Sequence, residues 1–292
     1  HRHVSCQHIG KKTYHQGKRL RKDSETLQQM FAGSDDELRQ TENTQPCLYL
    51  ADLAAAYALR DSGLQPEAVA GFSLGEIPAL AFAGAYDGMT GFRLACARGA
   101  SMARAGRNVN ASMAAIVKLP DETVERLCAA YDHVWPVNYN CDGQIAVSGD
   151  RDELERLYAD VAAAGGRSMP LNVSGGFHSP YMDPASAEFG AILADTVLQK
   201  PALPAYANRT AEPYGENVRE LLTQQINHPV RWKETLRHLN EQGFDTFVEC
   251  GAGMVLCKLV RKNLPECRSF AVDSLAGLAK LQEEGLLCCS AT

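Results

Sequence analysis

The chain has 292 residues, 45% of them hydrophobic and 22% charged, which supplies a full core for one large domain or two unequal ones and excludes a disordered chain. A formal net charge of -6 leaves no overall basic footprint of the kind that nucleic-acid binders carry, so no nucleic acid is expected as a partner. No apolar run approaches the roughly 20 residues that span a bilayer, and the opening residues HRHVSC lack the apolar centre of a signal peptide; a cytoplasmic protein without membrane contact is expected.

The first segment, GKKTYHQGKRLRKD (10–23), concentrates Lys and Arg and reads as a solvated arm, residues 1–27 forming an atypical basic N-terminus. Short helical pieces and loops follow. TQPCLYLADLAAAYALRDSGL (44–64) predicts a long, largely buried helix with Thr44 as its N-cap and Pro46 in its first turn, where a missing N–H costs nothing. EAVAGFS (67–73) predicts a short buried strand, and LGEIPALAFAG (74–84) a helix closed by Gly84. Asp87 or Thr90 can cap a further helix through GFRLACARGASMARAG (91–106).

The middle of the chain changes character. Strand, helix, two strands joined by a turn at Asp142-Gly143, helix and strand follow between Ser112 and Gly175, the β-α-β-β-α-β order of a ferredoxin-like unit. Beyond it the alternation of helices and strands resumes, with helices over 186–199, 230–243 and 253–264 and strands over 204–208 and 245–250. The predicted class is therefore α/β: a hydrolase-like parallel-sheet core, residues 28–112 and 180–292, interrupted by a small ferredoxin-like subdomain over 113–179.

Gly71-Phe72-Ser73-Leu74-Gly75 lies between the predicted strand and helix, the setting of a nucleophile elbow. Glycines permit the strained turn, and the helix N-terminus turns the amide of Leu74 toward a forming oxyanion. A serine hydroxyl needs a base. Of the 8 histidines, His1, His3, His8 and His15 lie in the polar arm, His133 in a helix-to-strand connection and His238 among polar helix residues; His228 precedes a proline and reads as structural. His178, in the loop NVSGGFHSPYM, is left. Exposed loop residue and catalytic base stand level for it, and Arg98 by itself reads as a helix-surface charge. An Asp-Gly pair at 142–143 would also suit a serine–aspartate dyad, but it better fills a hairpin turn. The 10 cysteines are scattered without paired ligand spacing, so reduced thiols and no metal are expected, with Cys96, Cys128, Cys250 and Cys257 as small core residues and Cys288-Cys289 short of the ligands a zinc site needs.

TENTQP (41–46), AGFSLGEIPALAFAGA (70–85), RLACARGASM (93–102), SMAAIVKL (112–119), NYNCDGQIAVSG (138–149), GGFHSPYM (175–182), HPVRW (228–232) and VECGAGMVL (248–256) occur in one order along the chain. Together they resemble the malonyl-CoA:acyl-carrier-protein transacylases, a family also found as acyltransferase domains of polyketide synthases. The resemblance implies Ser73 as nucleophile, His178 as its base, Arg98 as holder of the malonyl carboxylate, and Gln225 as the residue whose backbone carbonyl orients the histidine. Phe177 resembles the malonyl-selective pattern. Malonyl-CoA and acyl carrier protein are the implied partners, with no cofactor, in a monomer serving fatty-acid synthesis; an inactive carrier-binding module or a polyketide acyltransferase are the alternatives, and a hydrolase is a third. The pattern departs from the family in three places. Residues 1–27 hold no counterpart of the opening strand and its Gly-Gln-Gly segment, so one strand and one oxyanion donor are expected to be missing. Phe72 stands for the usual histidine, a flat ring expected to lie over the site, and Ala252 for the usual proline.

Overall fold

The computed structural model describes residues 21–107, 109–173 and 175–287; most of the basic arm, the four arm histidines and Cys288-Cys289 lie outside the described residues. Its first helices are α1 (Arg21–Ala32), α2 (Asp35–Leu38) and α3 (Thr41–Asp61). α1 thus begins inside the stretch expected to be a solvated arm. α3 also starts earlier than the sequence suggests: Gln40, not Thr44, is its N-cap, and Pro46 sits inside the helix. Thr44 is drawn elsewhere because its hydroxyl donates to the carbonyls of Leu38 and Gln40, closing the short helix before it.

β1 (Val69–Ala70) is shorter than predicted because the chain turns at once into a 3-10 turn, Ser73–Gly75, and then α4 (Glu76–Phe82). Gly84, at φ 83°, ends that helix, with Ala85 N–H donating to Leu80 O at 2.9 Å. α5 (Gly88–Arg107) starts under Asp87, whose Oδ1 accepts from Thr90 N at 2.7 Å, as expected. Tyr49, Ile77, Leu80, Leu94 and Ala95 of α3, α4 and α5 join one buried cluster.

The middle third matches its reading closely. β2 (Ala111–Val117), α6 (Asp121–Cys128), β3 (Val134–Cys141), β4 (Gln144–Asp150), α7 (Arg151–Ala163) and β5 (Arg167–Pro170) form a four-stranded sheet in the order β3-β4-β2-β5 with antiparallel neighbours. This is the ferredoxin-like order, and α6 and α7 cover one face through Val124, Leu154, Leu157 and Val161. Asp142-Gly143 is indeed the β3–β4 turn, with Gly143 at φ 70°. The Asp142 carboxylate pairs with Lys233 at 3.1 Å and Arg237 at 2.7 Å, which ties the turn to the later helix Trp232–Glu241 and engages the carboxylate there.

α8 (Asp183–Ala194), β6 (Ala205–Tyr206), α9 (Val218–Gln224), α10 (Trp232–Glu241), β7 (Thr246–Cys250), α11 (Val255–Asn263), β8 (Arg268–Val272) and α12 (Leu275–Glu283) follow among the described residues. The sequence reading did not include α9, β8 or α12. Parallel pairing is present as expected, β1 with β6 and β7 with β8, but as two separate two-stranded ladders among the described residues. No helix among the described residues is long and apolar enough to cross a membrane.

Candidate active site

Two local features position Ser73. Its backbone stands at φ 51°, a left-handed conformation that costs an L-residue roughly 1–2 kcal/mol and that neighbouring structure must hold in place. Gly71 makes the turn sterically feasible, since a Cβ there would lie 1.9 Å from the carbonyl oxygen of Gly75. Gly75, by contrast, is right-handed with open space where a Cβ would go, so only the first glycine of the pentapeptide is demanded by close approach.

The loop histidine is a core residue: His178 is 3% exposed and sits at φ 60°. Its Nδ1 lies 2.9 Å from the Gln225 carbonyl oxygen. A carbonyl can only accept, so Nδ1 carries the proton and Nε2 keeps its lone pair. That Nε2 is 2.8 Å from Ser73 Oγ, placed to accept the hydroxyl hydrogen. Burial, with Arg98 adding, pulls the imidazole down to about 3, so it stays neutral in the resting site, with Nε2 unprotonated.

Arg98 overturns its surface reading, being 1% exposed on α5. Its Nη2 donates to Ser73 Oγ at 3.2 Å, its Nη1 to Gln45 Oε1 at 2.8 Å, and its Nε and Nη2 to Gln225 Oε1 at 3.2 and 2.9 Å. Burial draws the guanidinium down to about 10 while Glu76 opposes, so it remains charged at neutral pH among partners that are almost all uncharged amides and hydroxyls. A carboxylate would be a better partner for it than any of these. Phe177, half-buried beside the histidine, packs against both the main core and the Met113–Val137–Ala146 cluster. Phe72 packs edge-on to Trp232, ring centroids 5.5 Å apart.

The Acyl transferase domain family model matches residues 20–288. The chain belongs to that family. It is 36% identical over 251 residues to the malonyl CoA-acyl carrier protein transacylase of Synechocystis, covering 85% of this chain and 84% of that one. To the polyketide biosynthesis malonyl CoA-acyl carrier protein transacylase PksC of Bacillus subtilis it is 37% identical over 232 residues, 77% of this chain and 79% of the relative. Among solved structures, a type II polyketide acyl-carrier protein in complex with its malonyl-transacylase superposes with a TM-score of 0.84 at 32% identity, covering 88% and 86% of the two chains. The Clostridium perfringens malonyl CoA-acyl carrier protein transacylase gives 0.87 at 29% identity over 96% and 92%. The mixed α/β architecture with a small antiparallel sheet is therefore the acyl transferase fold.

Other residues of the candidate site carry no mark in the sequence. Gln45, 6% exposed on α3, is held by Arg98 and donates to Met102 Sδ at 3.3 Å. Asn208, 1% exposed, bonds Ser73 N and Gly71 O, while Glu76, also 1% exposed, accepts from Asn208 N and Tyr214 OH. Gln45 and Glu76 lie in segments that carry the family resemblance (41–46 and 70–85), but nothing in composition or periodicity marks a buried amide or carboxyl as facing a site. Among the described residues, the other histidine side chains bond elsewhere: His133 Nδ1 lies 3.7 Å from Glu153 Oε1, His228 Nδ1 donates to Gln224 O at 2.9 Å and His238 Nδ1 to Ala211 O at 2.9 Å. Cys128 and Cys257 are buried, with burial pushing their thiols up to about 12 and about 11, unsuited to nucleophilic work; Cys96 and Cys250 are only half-buried.

Proposed function

We propose that the protein transfers the malonyl group of malonyl-CoA to the phosphopantetheine thiol of an acyl carrier protein through a malonyl ester on Ser73. The observation that carries this reading is the double engagement of one hydroxyl, Ser73 Oγ, by a neutral imidazole nitrogen at 2.8 Å and a buried guanidinium at 3.2 Å. Base and carboxylate holder meet at the same atom.

In the first half-reaction the malonyl carboxylate binds Arg98. His178 Nε2 takes the Ser73 proton as Oγ bonds to the thioester carbonyl carbon, and the negative charge moves to the carbonyl oxygen, where the Leu74 amide donates to it. Collapse breaks the carbon–sulfur bond, and the CoA sulfur leaves with the proton from His178. The carrier thiol then reverses the sequence: His178 takes its proton, sulfur attacks the ester carbon, and Ser73 leaves reprotonated. The Gln225 carbonyl steadies the imidazolium in both halves, in place of a carboxylate. Among the described residues no group of three or more His, Cys, Asp or Glu is arranged to hold a metal, and no step of this scheme calls for one.

Fatty-acid synthesis is the pathway proposed, in a cytoplasmic monomer, with the division into large and ferredoxin-like units as read from sequence. The polyketide reading is supported by the 37% identity to the PksC transacylase. Mass spectrometry of the intact protein and of its proteolytic peptides after mixing with malonyl-CoA tests the chemistry: one malonyl group is expected, on the peptide holding Ser73, with none on Ser73→Ala. An unmodified wild type would leave the carrier-docking alternative, and acyl loss to water without a thiol acceptor would point to a hydrolase. Transfer to a fatty-acid carrier protein in preference to a polyketide one would decide the pathway.

A further inference from the structure

The parallel ladder between β1 and β6 pairs Val69 with Ala205 and Ala70 with Tyr206. Continued by two residues, the same register sets Phe72 opposite Asn208. There the backbones part, because β1 bends into the serine turn and the chain beyond β6 folds on itself through Ala211 N–H to Ala207 O at 2.8 Å and Ala207 N–H to Glu212 O at 2.9 Å. In a parallel ladder a residue donates to the carbonyl before its opposite number and accepts from the amide after it. The Asn208 side chain does both. Its Nδ2 donates to Gly71 O at 2.6 Å, and its Oδ1 accepts from Ser73 N at 2.7 Å. These partners also fix which end of the amide is which, since a carbonyl only accepts and a backbone N–H only donates.

We infer that Asn208 is a positioning residue for the Ser73 nucleophile: its side-chain amide stands in for a strand residue and holds the serine turn in its left-handed conformation. The inference rests on the proposed acyl-serine chemistry. Asn208 is itself immobilised. It is 1% exposed, its N–H donates to Glu76 Oε1 at 3.1 Å, and its carbonyl accepts from Arg231 N at 2.9 Å. Glu76 lies three residues beyond Ser73, in the first turn of α4, and is gripped in turn by the Tyr214 hydroxyl. A closed ring therefore runs from the serine turn through α4 to Asn208 and back to the turn. Without the side chain, the Ser73 amide loses its acceptor and the strained φ loses one of its restraints, while Arg98, Gln45 and the carboxylate-holding face are untouched. The consequence should fall on the reactivity of Oγ and not on substrate affinity.

Single-turnover malonyl uptake by wild type, Asn208→Ala and Asn208→Asp tests this, read as the maximal acylation rate and the malonyl-CoA concentration at half-maximum. A displacement of about 1 Å in a reacting group costs on the order of 10²-fold. A loss of that order in maximal rate is expected in both variants, at unchanged half-saturation and with thermal unfolding still cooperative. Asn208→Asp keeps the shape and the acceptor but sets an oxygen against Gly71 O, and it carries the test where the alanine variant does not fold. Unchanged maximal rates in folded variants overturn the inference, as does a pure rise in the half-saturating concentration. Hydrogen exchange on the wild type gives a further reading that needs no variant: the Ser73 amide should be protected, and fast exchange there also overturns it. A wild type that takes up no malonyl overturns the acyl-serine reading instead, so the two failures are distinct.

Discussion

The Arg98 Nη2 donates to Ser73 Oγ at 3.2 Å, so the guanidinium expected to hold the substrate rests on the hydroxyl expected to attack it. An arriving carboxylate competes for that donor and frees the hydroxyl to face only His178. Arg98→Ala should therefore lower malonyl uptake more than acetyl uptake. Hydrogen bonds to charged groups contribute about 1.5–3 kcal/mol, so the malonyl-to-acetyl ratio of kcat/KM should fall by about tenfold to a hundredfold. An unchanged ratio, measured with the two CoA thioesters in parallel, would remove Arg98 from carboxylate recognition.

The pH dependence should differ between the free enzyme and the substrate complex. Burial first, and the Arg98 charge second, pull the His178 imidazole down to about 3 from the ordinary 6.5. The kcat/KM profile, which reports the free enzyme, should then show no acid limb near 6.5. A carboxylate bound on Arg98 offsets the second cause, so the acid limb of kcat should lie at higher pH than that of kcat/KM. A limb near the ordinary histidine value in kcat/KM would mean that His178 is solvated.

The two glycines of the serine turn should respond oppositely to a methyl group. Gly71→Ala drives a Cβ to 1.9 Å from Gly75 O and 2.4 Å from Glu76 N, backbone atoms that cannot swing away, and should cost at least the ~1–3 kcal/mol typical of overpacking. Gly75→Ala meets nothing within 4 Å and keeps a right-handed backbone, so stability should hold or rise by about 0.4–1 kcal/mol. Denaturant unfolding of the two variants checks both signs.

Gln225 should matter through its side chain as well as its carbonyl. Its Nε2 donates to Ser73 O at 2.6 Å, the oxygen of the peptide unit whose other end is the Leu74 N–H, and its Oε1 accepts from Arg98 at 2.9 Å. Gln225→Ala keeps the carbonyl that faces His178 yet frees both the oxyanion donor and the guanidinium. Loss of one such donor costs roughly 10²–10³ in turnover, and freeing it should cost about tenfold or more in the acylation rate. A wild-type rate in steady-state and single-turnover assays would show that the side chain is dispensable.

Glu76 should make the fold less stable as pH rises. Burial pushes its carboxyl up to about 7 from 4.5, with the Tyr214 hydroxyl and the Asn208 amide only partly opposing. Between those values the folded state holds a proton that the unfolded state has released, so stability falls as pH rises from about 4.5 to about 7 and levels off above. Glu76→Gln removes this dependence. The difference between variant and wild-type unfolding free energies, followed across that window, should grow with pH in favour of the variant; a flat difference would mean that Glu76 is charged throughout.

Much of the architecture is legible in the residues because local rules govern it. The β-α-β-β-α-β order of the middle third, the Asp142-Gly143 turn, the Asp87 cap and the Gly84 stop each follow from patterns within a few positions of one another. The pieces that resisted, Thr44 as a cap and the short β1, did so where a distant or neighbouring partner outbid the local preference: the Leu38 carbonyl for the threonine hydroxyl, the serine turn for the strand.

The candidate site divides in the same way. Sequence by itself determined that a serine stands on a tight strand-to-helix turn, since Gly-x-Ser-x-Gly and its flanks are contiguous, and the ordered motifs supplied His178, Arg98 and Gln225 by resemblance. Only tertiary structure decided that Arg98 is inside the molecule, that His178 is buried and neutral, and that Asn208 continues a ladder the backbone abandons. Each of these depends on groups brought together across the chain, Ser73 and His178 being 105 residues apart and Ser73 and Asn208 135. Charge state, tautomer and strain are set by what surrounds a group in space, and linear order does not contain that information until the chain has folded.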